Sequence, residues 1–131
     1  MATRARIGLE LKNGSVLSVY HHWDGYPEWL GRILKTHYND RTKVAELIDG
    51  GDMSTCWAEN NQPEYYTMRG EDLSTCAPRH DADLCEYLIK NNSGEEFAYV
   101  FRSGEWVCYN LHEFDEQLPE VVEIPSGALM A

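Results

Sequence analysis

The sequence predicts an α+β fold, a small antiparallel sheet of four to five strands with two or three short helices packed on one face. Three observations carry this expectation. Residues 5–11 alternate apolar and polar side chains with period two, residues 27–48 repeat apolar positions at helical spacing, and residues 97–109 form two alternating runs about Ser103-Gly104. At 131 residues the chain fits one domain over residues 1–131, with a core that needs no covalent staples.

The first strand sets Ala5, Ile7, Leu9 and Leu11 on one face and Arg6, Gly8 and Glu10 on the other. Asn13-Gly14 is a strong hairpin signal. A tight pairing about it puts Val16, Ser18 and Tyr20 beside the apolar face of the first strand, with Leu17 and Val19 opposite, so the second strand is apolar on both sides and central. The chain then turns at "HWDGYP", where Asp24-Gly25 is a turn pair and Pro27 suits the first position of a helix. Leu30, Ile33, Leu34, His37 and Tyr38 extend that helix over 27–38. A second helix follows, capped by Asn39 or Asp40, buried through Val44, Leu47 and Ile48, and stopped by Gly50-Gly51.

Residues 52–79 read as a low-structure or binding segment with one strand at Tyr65–Met68, and a stretch of this kind often carries specificity. A third helix is expected from Asp81 to Lys90, facing inward through Leu84, Tyr87 and Leu88. The hairpin at 97–109 aligns Phe97, Tyr99 and Phe101 with Trp106 and Cys108 on one face, and Ala98 and Val100 with Val107 and Tyr109 on the other. A turn of helix, an edge strand at 120–124 and a frayed tail over 125–131 complete the expectation.

Composition narrows the functions. The net charge of −11 is unevenly placed: residues 1–43 carry +3 and residues 44–131 carry −14. Such a field repels nucleic-acid phosphates and anionic membranes, so direct nucleic-acid binding is disfavoured, whereas a basic protein surface is attracted. No apolar run is long enough to span a bilayer. The opening "MATRARIGLE" lacks the apolar core of a targeting segment. The four cysteines, at 56, 76, 85 and 108, are therefore expected as buried or semi-buried thiols of a cytoplasmic protein.

The densest chemistry lies in "SVLSVYHHWDGYPEWLGRILKTHY", residues 15–38, with three His, two Trp, three Tyr and an Asp. His22, Trp23, Asp24, Tyr26 and His37 are the ligand-binding candidates. His21 and His22 are adjacent on a strand and point to opposite faces, so a shared metal would need the strand to break, and His22 follows the face of Tyr20. The alternative is a packed corner in which an imidazole joins a backbone group to a tyrosine hydroxyl while the rings fill the core. No phosphate-cradling glycine loop accompanies the helix start, and no nucleophile elbow or HExxH occurs. Catalytic residues are therefore not assigned.

Cys76, His80 and Cys85 are spaced by four and five residues and could join Cys56 in a structural zinc site. The short CxxC pairs that make such a reading specific are absent, so no cofactor is expected. Glu71-Asp72, Asp81 with Asp83, and Glu95-Glu96 offer paired carboxylates, which in so acidic a segment are read as solvated charges.

The runs "YHHWDGYPEWLGRILKTHYND", "AELIDGGDMSTC" and "YVFRSGEWVCY" together resemble a group of uncharacterised small bacteriophage- and prophage-encoded proteins. Their shared elements are a strand ending in an HWDGYP corner, a helix with ILxxHY, a GDxS segment and a C-terminal aromatic hairpin. The resemblance covers about Val16 to Tyr109. It places His22 to Pro27 at the corner, His37 and Tyr38 on the helix, Gly51, Asp52 and Ser54 after the second helix, and Trp106 in the hairpin. It implies a small accessory protein that binds a host protein in the cytoplasm of a bacterial cell. The alternative is a small-molecule or nucleotide-binding protein, with hydrolysis as its further expectation, centred on the His22 to Tyr26 corner. An exposed sheet edge would also allow a homodimer by strand addition.

Overall fold

A computed structural model describes residues 3–57, 61–90, 94–115 and 118–125, apart from the side chains of 90 and 113–115. The fold is α+β, and its sheet is larger than expected and mixed. Eight strands are described: β1 (Ala5–Glu10), β2 (Val16–His21), β3 (Met53–Thr55), β4 (Glu64–Tyr65), β5 (Arg79–Asp81), β6 (Phe97–Arg102), β7 (Glu105–Asp115) and β8 (Leu118–Val122). They are ordered β4-β3-β2-β1-β6-β7-β8, with β5 pairing β2. The expectation of four to five antiparallel strands fails for two reasons. The 52–79 segment contributes β3, β4 and the start of β5, and β1 lies parallel to β6 as β2 does to β3. With β2 and β6 on its two sides, β1 is buried over Ala5–Leu9.

The first hairpin is slipped by one residue from its expected register. Ile7 lies opposite Val19 and Leu9 opposite Leu17, while Gly8 faces Ser18 and Arg6 faces Tyr20. The cause is the loop. The Gly14 N–H donates to the Leu11 carbonyl at 3.0 Å and the Leu11 N–H to the Ser15 carbonyl at 2.8 Å. Gly14 has φ +86°. This is a three-residue loop closed by a left-handed glycine rather than a two-residue turn. The second hairpin pairs as the alternation requires, Tyr99 with Cys108 and Phe101 with Trp106, about Ser103 and Gly104 with φ of 52° and 79°.

The helical elements cover both faces of the sheet, not one. Pro27–Gly31 forms a π turn that runs into α1 (Arg32–His37), followed by α2 (Arg41–Asp49), whose first turn is capped by Asp40 accepting the Lys43 N–H at 2.9 Å. Leu30, Ile33, Leu34, Val44, Leu47 and Ile48 bury against Ile7, Leu9, Val19, Tyr99 and Phe101. On the other face, Tyr87 and Leu88 pack on Val16, Ala98, Val100 and Tyr109. They belong to a π turn at Glu86–Lys90, so the third helix is shorter than expected and Asp81 ends β5 instead of starting it. Asp83 begins the turn by accepting the Glu86 N–H at 2.8 Å.

The expected strand at Tyr65–Met68 is β4 at its start only; Tyr66–Arg69 is a 3₁₀ turn, and α3 (Leu73–Cys76) follows. The expected turn of helix after residue 109 is strand, because β7 continues to Asp115 past a register shift between Asn110 and Phe114, and the edge strand expected at 120–124 is β8, which begins and ends two residues earlier. Of the tail, residues 126–131 lie outside the described residues. No helix among the described residues is long and apolar enough to cross a membrane.

Candidate functional site

β2 ends at His21, and the next residue, His22, lies on the opposite side, with Tyr20. His21 is fully buried, and its Nε2 accepts the Cys56 backbone N–H at 2.9 Å. Burial pushes its pKa down to about 3, so the ring is neutral and carries its proton on Nδ1. His22 is half-buried on the Tyr20 side, where its Nδ1 lies 2.7 Å from the Tyr20 hydroxyl and its ring meets Trp23 edge-on at 4.8 Å. Trp23 is 46% exposed and Tyr26 36%. Asp24 is exposed with φ 57°. His22, Trp23 and Tyr20 therefore form one surface patch of rings at the end of β2.

The backbone beneath this patch is tied on every side. The Trp23 N–H donates to the Ser54 carbonyl at 2.9 Å, and the Gly25 N–H to the Thr3 carbonyl at 2.8 Å. The Gly25 carbonyl accepts the buried Tyr99 hydroxyl at 2.7 Å. A Cβ at Gly25 would stand 2.7 Å from the Thr3 carbonyl oxygen. The "GDxS" run supplies more of the knot. Asp52 accepts the Tyr20 N–H at 2.8 Å, and the Ser54 Oγ accepts from Arg69, which also pairs with Glu64. Burial raises the Asp52 carboxyl above its ordinary value, against the pull of the Tyr20 N–H, Arg6 and Arg79.

His37 makes its ring contact elsewhere, with Trp57 at 4.4 Å. The Trp57 indole N–H donates to the Tyr38 hydroxyl at 3.0 Å, and the Trp106 indole N–H to the Tyr38 carbonyl at 2.7 Å. Burial raises the Tyr38 hydroxyl pKa to about 12, and Cys56 beside it adds to the shift. Beside Tyr38, a groove of about 410 Å³ runs between α2 and the β4 segment, lined by Lys43, Glu46, Leu47, Pro63 and Tyr65. The ring contacts thus divide the five ligand-binding candidates, with His22 and Trp23 in one set and His37 in another.

The cysteines and His80 are likewise dispersed. Cys56 lies in the core with its thiol pushed up to about 12 by burial. Cys76 is buried at the end of α3 and donates to the Asp72 carbonyl at 3.4 Å, whereas His80 and Cys85 are exposed. No group of three or more His, Cys, Asp or Glu placed to hold a metal ion occurs among the described residues. The four candidate zinc ligands therefore do not meet.

A polar cluster that the sequence pattern did not expose lies on the Tyr87 face. Arg6, 7% exposed, donates from Nε to the Ser18 hydroxyl at 3.0 Å and from a terminal nitrogen to the Ser18 carbonyl at 3.2 Å. Arg79 Nε donates to the fully buried Asp81 at 2.9 Å. Two carboxylates read as solvated, Asp81 and Glu95, are buried. The signal available was the second strand, apolar on both sides, which requires a cover over the Arg6 face as well.

Chemically, the corner offers an exposed indole and an imidazole for stacking and hydrogen bonding, on a rigid base. No family model, curated protein or solved structure matches the chain. The class defined by the fold is an α+β protein with a mixed sheet covered on both faces.

Proposed function

We propose that this chain is a small acidic accessory protein of bacteriophage or prophage type that binds a host protein in the bacterial cytoplasm. One observation carries the reading. Of the seven large apolar side chains that stand exposed among the described residues, Met68, Leu73, Ile89, Leu118 and Val121 belong to the part of the chain with a charge of −14. Exposed apolar contacts set in an acidic field suit a partner that is basic and partly apolar, with the field steering encounter and the apolar groups slowing release. The same field disfavours nucleic acid and anionic membranes as partners.

The test is capture from a bacterial host lysate on the purified chain, read by native mass spectrometry at low and high salt. A defined host protein that is released by salt, and lost when exposed acids after residue 43 are reversed in a still-folded variant, supports the reading. A chain that retains only a small molecule or zinc overturns it.

A second reading has its own observation. The exposed Trp23, edge-on to His22 and braced through Tyr20, is a ready stacking surface for a planar ligand such as a nucleotide base. Quenching of tryptophan fluorescence by nucleotides, abolished by Trp23→Ala, would support it; unchanged fluorescence at millimolar nucleotide would remove it.

A further inference from the structure

β8 ends the sheet: among the described strands its one neighbour is β7. Two anchors hold it. Pro119 is buried, and Ile124, just beyond the strand, is 7% exposed in the main core, where it meets the position a Cβ on Gly31 would approach. Between these anchors stand Glu120, Val121 and Glu123, all exposed, with Val121 at 59% and Leu118 before them at 44%. Glu120 and Glu123 are the exposed acids of this edge, and Lys35 Nζ donates to the Ile124 carbonyl at its far end at 3.5 Å.

We propose that the outer edge of β8 is the docking site for an extended segment of a partner protein in which Lys or Arg alternates with apolar residues, added to the sheet as a further strand. This rests on the protein-binding reading above and names its surface and partner chemistry. An edge strand presents unpaired backbone groups to a new strand. A pre-formed edge pinned at both ends loses little freedom when a strand is added. Side chains of the incoming strand alternate, so its apolar residues reach Val121 on one face while its cations meet Glu120 on the other. Pro119 has no N–H, so the new ladder runs on the backbone from Glu120 onward. A second copy of this chain is the poorer occupant, because it brings Glu120 and Glu123 against the same acids.

The probe is a synthetic peptide alternating lysine and valine, titrated into the isotopically labelled full chain. The expected result is amide shifts and hydrogen-exchange protection centred on 120–124, with affinity that falls as salt rises. The same peptide N-methylated on alternate backbone amides should bind on the order of tenfold or more weakly, since it keeps the charge and loses the ladder. A glutamate-valine peptide should not bind. Val121→Pro and the pair Glu120→Lys, Glu123→Lys should each weaken the lysine peptide, and the N-methyl peptide decides the matter if a variant fails to fold. Equal binding of the methylated peptide, or shifts centred elsewhere, overturns the edge assignment. A captured host protein that still binds both variants overturns the edge while leaving the protein-binding reading intact. A lysate that yields no salt-sensitive partner, with the peptide still seated at β8, sinks the wider reading alone.

Discussion

His21 Nε2 accepts the Cys56 backbone N–H at 2.9 Å inside the core, and this bond ties β2 to the end of β3. The bond needs a neutral ring with a bare Nε2, and burial supplies it by lowering the pKa to about 3 from an ordinary value of 6.5. The unfolded chain binds a proton at His21 below about pH 6.5, and the folded chain does not until about pH 3. The stability from this group is complete above the upper value and falls as the pH drops through that window, by roughly 3–5 kcal/mol in total. Urea unfolding at pH 7 and pH 4.5 checks this. His21→Gln keeps an acceptor and cannot titrate, so it should show a shallower loss than the natural chain; equal slopes would remove His21 from the account.

The corner at residues 21–27 is predicted to be a rigid base. At Gly25 the obstacle to a side chain is the Thr3 backbone carbonyl and the Ala5 Cβ, at 2.7 and 2.8 Å, and neither swings away. Gly25→Ala should therefore cost about 1–3 kcal/mol, the range for overpacking. Tyr99→Phe removes the donor to the Gly25 carbonyl and should cost about 1 kcal/mol or somewhat more. Thermal melts of both variants test this, and an unchanged melting temperature for Gly25→Ala would mean that the corner yields.

How much of this was legible follows from how local each determinant is. The hairpin at 97–110 was readable because alternation and a Ser-Gly turn fix its register without help from elsewhere. The separation of His21 from His22 was readable for the same reason, strand parity. Asn13-Gly14 marked a hairpin and left its register open, since the pair closes a two- or a three-residue loop, and one residue of slip exchanges the partners of every side chain. β3, β4 and β5 are two or three residues long, too short for a period to appear. Arg6 lies in a polar stripe by pattern and is buried because Tyr87, far along the chain, roofs that face; a Cβ at Gly8 would stand 3.0 Å from its ring. The separate ring contacts of His37 and His22 depend on where Trp57 falls, which no spacing encodes.

Thiol chemistry should sort the four cysteines cleanly. Cys85 is exposed, whereas Cys56, Cys76 and Cys108 are buried, and burial raises all three thiols, those of Cys56 and Cys108 to about 12. The thiolate is the reactive form, so the native chain should label at one cysteine with iodoacetamide near pH 8 and at four in denaturant. Peptide mapping identifies the site. Rapid native labelling at Cys56 would contradict the core placement, and protection of Cys85 would show that its surface is covered.

The Arg79–Asp81 pair separates two views of the polar cluster. Asp81 is 0% exposed and Arg79 25%, with 2.9 Å between Nε and the carboxylate. Breaking a buried ion pair by removing one member typically costs about 3–5 kcal/mol; the partial exposure of Arg79 puts the expectation for Asp81→Ala near the lower end. The pair itself is a different quantity, because apolar side chains of similar volume repay the lost attraction by sparing the desolvation. The double change Arg79→Met, Asp81→Leu should thus lose less stability than Asp81→Ala alone, in denaturant melts at one pH. A double variant as unstable as the single would mean that the ion pair stabilises beyond its desolvation cost.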